Sequence, residues 1–301
     1  MTKARIGYIG VGLMGHGAAK NILEKGGYPL TVKGHRNRQP VDDLVKRGAK
    51  EGKSAATMAR ESDILFLCLP SSVEVEEAVY GKEGVLEGAH AGLVVVDSTT
   101  ADPNSTRKIA TDLGAKGAAM LDAPLGRTPK ESEAGTLSTY VGGDPATVKT
   151  VRPVMELYAD TIVEVGPLGS GHTLKLLNNF ISIGTCAVIA EAAATAAKLG
   201  VDMHKFYEVV SAGGANSKMF QMVMPWVLEG DDSHLKGPLR IAGKDLRFYT
   251  KLAEQAPAAA FIAQAVNQTL HLCNVRGHGD RYLPVLPGIL AELNGAKIRD
   301  L

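Results

Sequence analysis

The chain has 301 residues, of which 45% are hydrophobic and 22% charged. That is ample for one large core or for two ordinary domains. Lys plus Arg number 33 against 32 Asp plus Glu. No one-signed field is therefore expected to draw in nucleic acid or an anionic membrane surface.

In chain order, "IGYI" reads as a short strand, followed by a glycine-rich turn and a helix with Ala18, Ala19, Ile22 and Leu23 at helical spacing. Gly26-Gly27 stops that helix and "PLTV" opens a second strand. A basic loop, "KGHRNRQP", leads to a helix expected from about Val41. "DILFLCLP" and "LVVVDSTT" are continuous apolar runs of the kind that lie inside a parallel sheet. "AAMLDAPL" and "TLSTYVGG" are weaker strand candidates, with helical stretches between. After "GPLGSG" the texture changes. A nearly unbroken helix is expected from Gly171 to Leu199, roughly 40 Å long at the standard rise. "DMHKFYEVVSAG", "KMFQMVMPWVLEG", "GKDLRFYTKLAEQA" and "AAFIAQAVNQTLHLCNV" are helix-like too.

The pattern predicts an α/β fold, with a doubly wound parallel sheet over residues 1–166. An all-helical domain over 167–301 follows, joined to it by the long helix. The N-terminus runs straight into a strand with no signal-peptide pattern. Lys175, Asn178, Asn179 and Glu191 interrupt the longest apolar stretch. No membrane span and a cytoplasmic location are expected. Cys68, Cys186 and Cys273 lie far apart in apolar runs and read as buried free thiols.

"GVGLMG" places Gly10, Gly12 and Gly15 in the spacing G-x-G-x-x-G, directly after a strand and opening a helix. The first glycine permits the tight turn, and the second lets a pyrophosphate approach the backbone. The third lets helix and strand pack closely, and the helix N-terminus offers free N–H groups to the phosphates. This predicts a Rossmann-type site for a nicotinamide dinucleotide. An acid that would hold the 2′-hydroxyl of NAD is missing from Val32 to Arg38 and first occurs at Asp42. A basic loop suits a 2′-phosphate, which favours NADP with Arg36 and Arg38 as clamps. NAD held without an acidic anchor stays open, with both arginines solvated.

Lys175 sits early in the long apolar helix, with Asn178, Asn179 and Ser182 at i+3, i+4 and i+7 on one face. An unpaired buried ammonium is costly. The lysine either snorkels to water or lines a cleft, where desolvation fits it for proton transfer.

These segments together resemble the β-hydroxyacid dehydrogenase family, which includes 3-hydroxyisobutyrate dehydrogenase and tartronate semialdehyde reductase. The likeness runs nearly end to end. It rests on "GYIGVGLMGHGAAKNIL", "VVDSTT", "DAPLGR" with "AGTL" and "VGG", "GSGHTLKLLNN" and "GKDL". Gly169, Gly171, Lys175 and Asn179 meet the family spacing G-x-G-x-x-x-K-x-x-x-N. The resemblance implies oxidation or reduction at C3 of a short acid, with Lys175 as general acid/base. It implies substrate contacts from Ser98, Gly126, Thr128, Asn178 and Asn179. It implies cofactor contacts from Leu13, Met14, Leu69, Pro70, Thr99 and Lys244, with Asp245 beside Lys244 in the same K-D-L motif. Where most relatives read D-A-P-V-S-G-G, this chain has Leu125-Gly126-Arg127-Thr128. A G-R-T variant with K-L-x-N-N and an aromatic is similar to the sulfolactaldehyde reductase branch, which also turns over succinate semialdehyde. A guanidinium satisfies two sulfonate oxygens at once. Arg127 is therefore expected to anchor the anion, with an ordinary carboxylate or a surface acid as its alternative partner.

The expected partner is a small anionic aldehyde or hydroxyacid, and the alanine-rich helices suggest a homodimer or homotetramer. The isolated histidines, His35 among them, show no metal-ligand spacing, so no metal is expected. An imine reductase and a non-catalytic dinucleotide-binding protein share the architecture and remain alternatives. Lys175 counts against the first, and the lysine, asparagines and K-D-L together count against the second.

Overall fold

The structure, a computed structural model, describes residues 3–34 and 36–300, so His35 of the basic loop lies outside the described residues. The chain divides into two compact units, Met1–Lys175 and Leu176–Leu301.

The first unit is built on a nine-stranded sheet. It begins β1 (Ile6–Ile9), α1 (Gly15–Glu24), β2 (Leu30–Lys33), α2 (Gln39–Lys46), β3 (Lys50–Glu51), α3 (Ala55–Glu61) and β4 (Ile64–Leu67). It continues through α4 (Ser72–Tyr80), α5 (Val85–Gly88), β5 (Val94–Asp97), α6 (Pro103–Gly114) and β6 (Ala119–Asp122). Then come β7 (Leu125–Gly126), α7 (Pro129–Ala134), β8 (Leu137–Gly142), α8 (Pro145–Met155), β9 (Ala159–Gly166) and α9 (Ser170–Lys198). The strand order is β3-β2-β1-β4-β5-β6-β8-β7, with β9 paired to β8.

Successive residues of β4 enter opposite faces. Ile64 and Phe66 join one apolar cluster with Tyr8, Ile22 and Val151, while Leu65 and Leu67 join another with Ile109 and Val95. Burial on both faces explains why this strand reads as an unbroken apolar run. Tyr8 stacks on Phe66 at 5.5 Å between centroids, and Tyr158 meets Phe66 edge-on at 6.0 Å.

The parallel expectation holds from β1 to β6. Beyond that, β8 runs antiparallel to β6 and β7, and β9 is parallel to β8. Strand β9 is mostly exposed and was not expected as a strand.

The second unit is helical. After α9 come α10 (Met203–Ala212), α11 (Lys218–Glu229), α12 (Leu239–Gln255), α13 (Phe261–Val275) and α14 (Leu286–Leu293). The last, which starts among prolines, was not expected. Phe220, Trp226, Leu246, Leu270 and Ile289 form its core with Ile183, Cys186 and Ala190 of α9. No membrane span was expected from the sequence. By length and composition alone α9 does qualify, with a mean hydropathy of 1.6 over its most apolar part. The core contacts of Ile183, Cys186 and Ala190 show where that apolarity is used.

Burial pushes the thiols of Cys68 and Cys186 up to about 12 and that of Cys273 up to about 11. None of the three is a ready nucleophile at neutral pH.

Phe66 is wholly buried between two tyrosines. Phe66→Ala is expected to destabilise the chain by about 3–5 kcal/mol, read as a lowered urea midpoint. A midpoint within error of wild type would show that the aromatic stack does not anchor the sheet.

Candidate active site

The glycine turn follows β1. Gly10 has φ +97°, and a Cβ there would lie 2.2 Å from the Cys68 carbonyl oxygen. A Cβ on Gly15 would lie 2.0 Å from the Gly10 carbonyl oxygen. Around Gly12, by contrast, nothing lies within 4 Å of where a Cβ would stand. Helix α1 begins with Met14 at its N-cap, no side-chain capping bond and no acid in the first turn. Its leading N–H groups are thus left for an anion beside an open backbone. This fits a dinucleotide pyrophosphate. Leu13 is 70% exposed at the turn, and Met14 is half-buried.

The ends of β4 and β5 adjoin the turn, because Cys68 N–H donates to the Ile9 carbonyl at 2.9 Å. Leu69 N–H donates to Thr99 Oγ1 at 3.1 Å, and Thr99 N–H donates to Asp97 Oδ1 at 2.9 Å. Ser98 N–H donates to the Leu67 carbonyl at 2.7 Å. Ser98 Oγ is buried and interacts with the hydroxyl of the wholly buried Tyr158. Leu69, Pro70, Ser98 and Thr99 are therefore gathered at the strand ends beside the glycine turn, where the strand order reverses.

The two arginines of the basic loop separate. Arg38 pairs with both carboxylate oxygens of Glu51, at 2.5 and 2.9 Å, and with Asp42 at 3.1 Å. Those bonds hold the Glu51 carboxyl below its usual range. Arg36 is exposed. The expected pair of clamps is thus one exposed guanidinium and one tied to β3.

The loop that follows β6 also differs from expectation. Arg127 has φ +73°, the left-handed region that favours glycine. Its guanidinium donates to Asp160 Oδ2 at 2.8 Å, to Thr161 Oγ1 at 3.1 Å and to the Thr136 carbonyl, at 37% side-chain exposure. The structure gives Arg127 an acid on β9 as partner. Thr128 is the N-cap of α7 and forms a capping box with Glu131, so its hydroxyl oxygen is engaged locally. Gly126 pairs with Ser138 of β8, and a Cβ there would lie 2.3 Å from Ser138 Oγ.

Lys175 lies in the second turn of α9 and is only 9% exposed, which argues against snorkelling. Asp122, at the end of β6, holds the start of that helix. Its Oδ1 accepts from Gly169 N–H and its Oδ2 from His172 N–H, each at 2.7 Å. In the second unit, Asn179 Nδ2 donates to Asp245 Oδ2 at 2.7 Å. Lys244 Nζ lies 3.0 Å from Asp245 Oδ1 and 5.5 Å from the centroid of the Phe248 ring. Asn178 is exposed and makes a long 3.4 Å bond to Asn179. Asp122, His172 and Asp160 were not singled out from the sequence. Asp122 carries no local signal, because the groups it binds are 47 and 50 residues away.

Residues 5–166 match the NAD binding domain of 6-phosphogluconate dehydrogenase. Residues 169–282 match the NAD-binding domain of NADP-dependent 3-hydroxyisobutyrate dehydrogenase. The chain belongs to the β-hydroxyacid dehydrogenase family. It is similar to the 3-sulfolactaldehyde reductase of Escherichia coli, 31% identical over 277 residues and covering 92% of each chain. It is also similar to the 2-hydroxy-3-oxopropionate reductase of the same organism, 32% identical over 72% of this chain and 74% of that one. Among solved structures, the 3-hydroxyisobutyrate dehydrogenase from Salmonella typhimurium superposes with a TM-score of 0.83 at 26% identity, covering 95% of this chain and 100% of that one.

As a β-hydroxyacid dehydrogenase the chain is an NAD(P)-dependent oxidoreductase. Its glycine turn and strand ends keep the family pattern, while the arginine at 127 departs from it. Gly10→Ala is expected to weaken NAD(P)H binding at least tenfold, since the added methyl collides with backbone rather than with a movable side chain. Quenching of protein fluorescence by NADPH measures this. Unaltered affinity would show that the turn does not bear on the cofactor.

Proposed function

We propose that this β-hydroxyacid dehydrogenase interconverts a short anionic semialdehyde and its hydroxyacid, with Lys175 as general acid and base and NADP as the preferred cofactor. The observation that carries the reading is the burial of Lys175 one turn beyond a helix start that is bonded to the end of β6. An ammonium withdrawn from water is suited to exchanging its proton with a substrate oxygen.

The glycine turn and the open N-terminus of α1 would hold the pyrophosphate, with Leu69, Pro70 and Thr99 alongside. When bound, the nicotinamide supplies the hydride for reduction or takes it in oxidation. In the reducing direction Lys175 donates a hydrogen bond to the carbonyl oxygen, which draws electron density from the carbon. Its proton then passes to the oxygen as the C–H bond forms, leaving a neutral amine. In the oxidising direction the neutral amine takes the hydroxyl proton. Ser98 is carried as a substrate contact on the family motif, its buried Oγ lying within reach of the Tyr158 hydroxyl. Gly126, Asn178 and Asn179 are carried as substrate contacts, and Lys244 as a cofactor contact, on the family motifs.

The preference for NADP is supported by the missing acid after β2 and by exposed Arg36, with Arg38 contributing only if its Glu51 pair opens. A sulfonate preference rested on Arg127. With that guanidinium bonded to Asp160 the substrate is read as the wider class of short anionic semialdehydes. A homodimer or homotetramer is supported by Leu177, Ile181 and Val188, which are exposed on one face of α9 at spacings of four and seven residues.

The test is oxidation of NADPH and NADH over a panel holding sulfolactaldehyde, succinate semialdehyde, 2-hydroxy-3-oxopropionate, an uncharged aldehyde and a cyclic imine. Turnover of the anionic aldehydes is expected. Turnover of the imine alone, or of nothing, would favour an imine reductase or a non-catalytic binder. Lys175→Ala should lower kcat by on the order of 10²–10⁴ while NADPH still binds, and near-normal turnover would end the assignment. Arg127→Ala should change kcat/KM by a similar factor for charged and uncharged aldehydes. A loss confined to the anionic ones would restore Arg127 as the anchor.

A further inference from the structure

We propose that Asp122 is a positioning residue that sets where Lys175 stands, an inference that rests on the reading of Lys175 as the proton-transfer group. Asp122 is wholly buried at the last position of β6. Both of its oxygens are directed at backbone amides: Oδ1 at Gly169 N–H and Oδ2 at His172 N–H, each at 2.7 Å. These amides belong to the start of α9, where a helix leaves N–H groups without intrahelical partners. The cap therefore comes from the sheet instead of from the residue preceding the helix. It fixes the first turn to the end of a central strand of the sheet.

Two glycines make the approach possible. A Cβ on Gly171 would lie 2.2 Å from the Tyr140 carbonyl oxygen and 2.9 Å from both the Asp122 carbonyl oxygen and Oδ2. A Cβ on Gly142 would lie 2.5 Å from Asp122 Oδ1 and 3.0 Å from Gly171 N. No other residue type fits at either place without moving backbone, so the second glycine of G-S-G-H-T-L-K serves this contact.

His172 adds a second tether. Its ring is wholly buried, with Nδ1 2.8 Å from Thr106 Oγ1 on α6. The Thr106 hydroxyl donates to the Asp102 carbonyl at 3.2 Å, so it accepts from the ring, and His172 Nδ1 is the donor. The carboxylates of Asp97 and Asp122 lie 3.9 and 4.0 Å from the ring nitrogens. Residue 172 is thus bonded through its amide to β6 and through its side chain to α6. Lys175 follows three residues later, on the same side of the helix. A rotation or slide of the first turn would carry the ammonium with it, and a misplacement near 1 Å can cost about a hundredfold in rate. The Asp122 carboxyl is wholly buried with both oxygens turned to backbone amides, so its influence on the reaction is through the helix.

The test replaces Asp122 by Asn, which keeps one acceptor but turns an amide NH₂ toward a backbone N–H. In the full-length chain, Asp122→Asn should lower kcat by on the order of ten- to a hundredfold. The NADPH dissociation constant, from fluorescence titration, should stay within about threefold. The pH at which kcat loses its Lys175-dependent limb should also move. Thr106→Val removes only the His172 tether, and should lower kcat by a smaller factor with the same spared nucleotide affinity. It serves as the deciding variant if Asp122→Asn does not fold by circular dichroism. Two results overturn the proposal: kcat within twofold of wild type in a folded variant, or kcat and NADPH affinity falling in proportion. Lys175→Ala run in parallel separates the two levels. Retained turnover there removes the underlying assignment. Loss there, with kcat unchanged in Asp122→Asn, removes the positioning role alone.

Discussion

One carboxylate bonded to the first turn of a 29-residue helix is the contact on which the arrangement depends. Burying an ionised group is unfavourable unless its oxygens are satisfied. Burial, helped by the nearby Asp97 charge, holds the Asp122 carboxyl above its usual range, an effect that His172 and the two N–H bonds only partly offset. A neutral acceptor would cost less to bury but would grip the amides less strongly. An Asp at this point buys a firm joint between sheet and helix. Glycines at 142 and 171 follow from it, because only they let the joint close.

Within the first unit the treatment of helix starts sets α1 apart, since α2 and α5, which also lack side-chain caps, carry Asp42 and Glu87 in their first turns. Helices α3, α4, α6, α7 and α8 are capped by the side chains of Ser54, Ser71, Asp102, Thr128 and Asp144. Helix α9 is capped by Asp122 from across the sheet. Helix α1 has neither a side-chain cap nor an acid in its first turn. Such a cap is worth about 1 kcal/mol of stability. Its omission at the glycine turn leaves N–H groups to be satisfied by phosphate oxygens. The same turn is otherwise closely packed, since Gly10 and Gly15 abut backbone and only Gly12 opens outward. Tight packing on two glycines and open space at the third are what G-x-G-x-x-G looks like in three dimensions.

Local patterns made much of this legible in the sequence. The glycine spacing, the all-apolar β4 and the long alanine-rich helix each carry their signal within a few residues. Thr128-Pro129-Lys130-Glu131 also reads as a capping box, a signal sufficient to place Thr128 at a helix start before any ligand is considered. Contacts between distant segments were not legible. Asn179 and Asp245 are 66 residues apart, and Arg127 and Asp160 are 33 apart. Strand β9 was missed although Ile162, Val163 and Val165 favour a strand, because acids interrupt its short apolar run and most of it is exposed. Arg38 was misleading as well, since its partner Glu51 lies on a two-residue strand that no periodicity announces.

The arginine at 127 shows how a loop can be fixed by its ends. A side chain at φ +73° sits where glycine is favoured, so the backbone there is strained. An ion pair this exposed does little to offset that strain. The loop must therefore be held by something else. On one side β7 is hydrogen-bonded to β8, with Gly126 close against Ser138. On the other side the Thr128 and Glu131 capping box fixes the start of α7. Between two fixed ends the backbone at 127 has little freedom, and whichever residue occupies it adopts the left-handed conformation. The loop backbone then keeps its shape when the side chain changes, so a departure from the family's glycines at this point need not alter the peptide groups a substrate would meet.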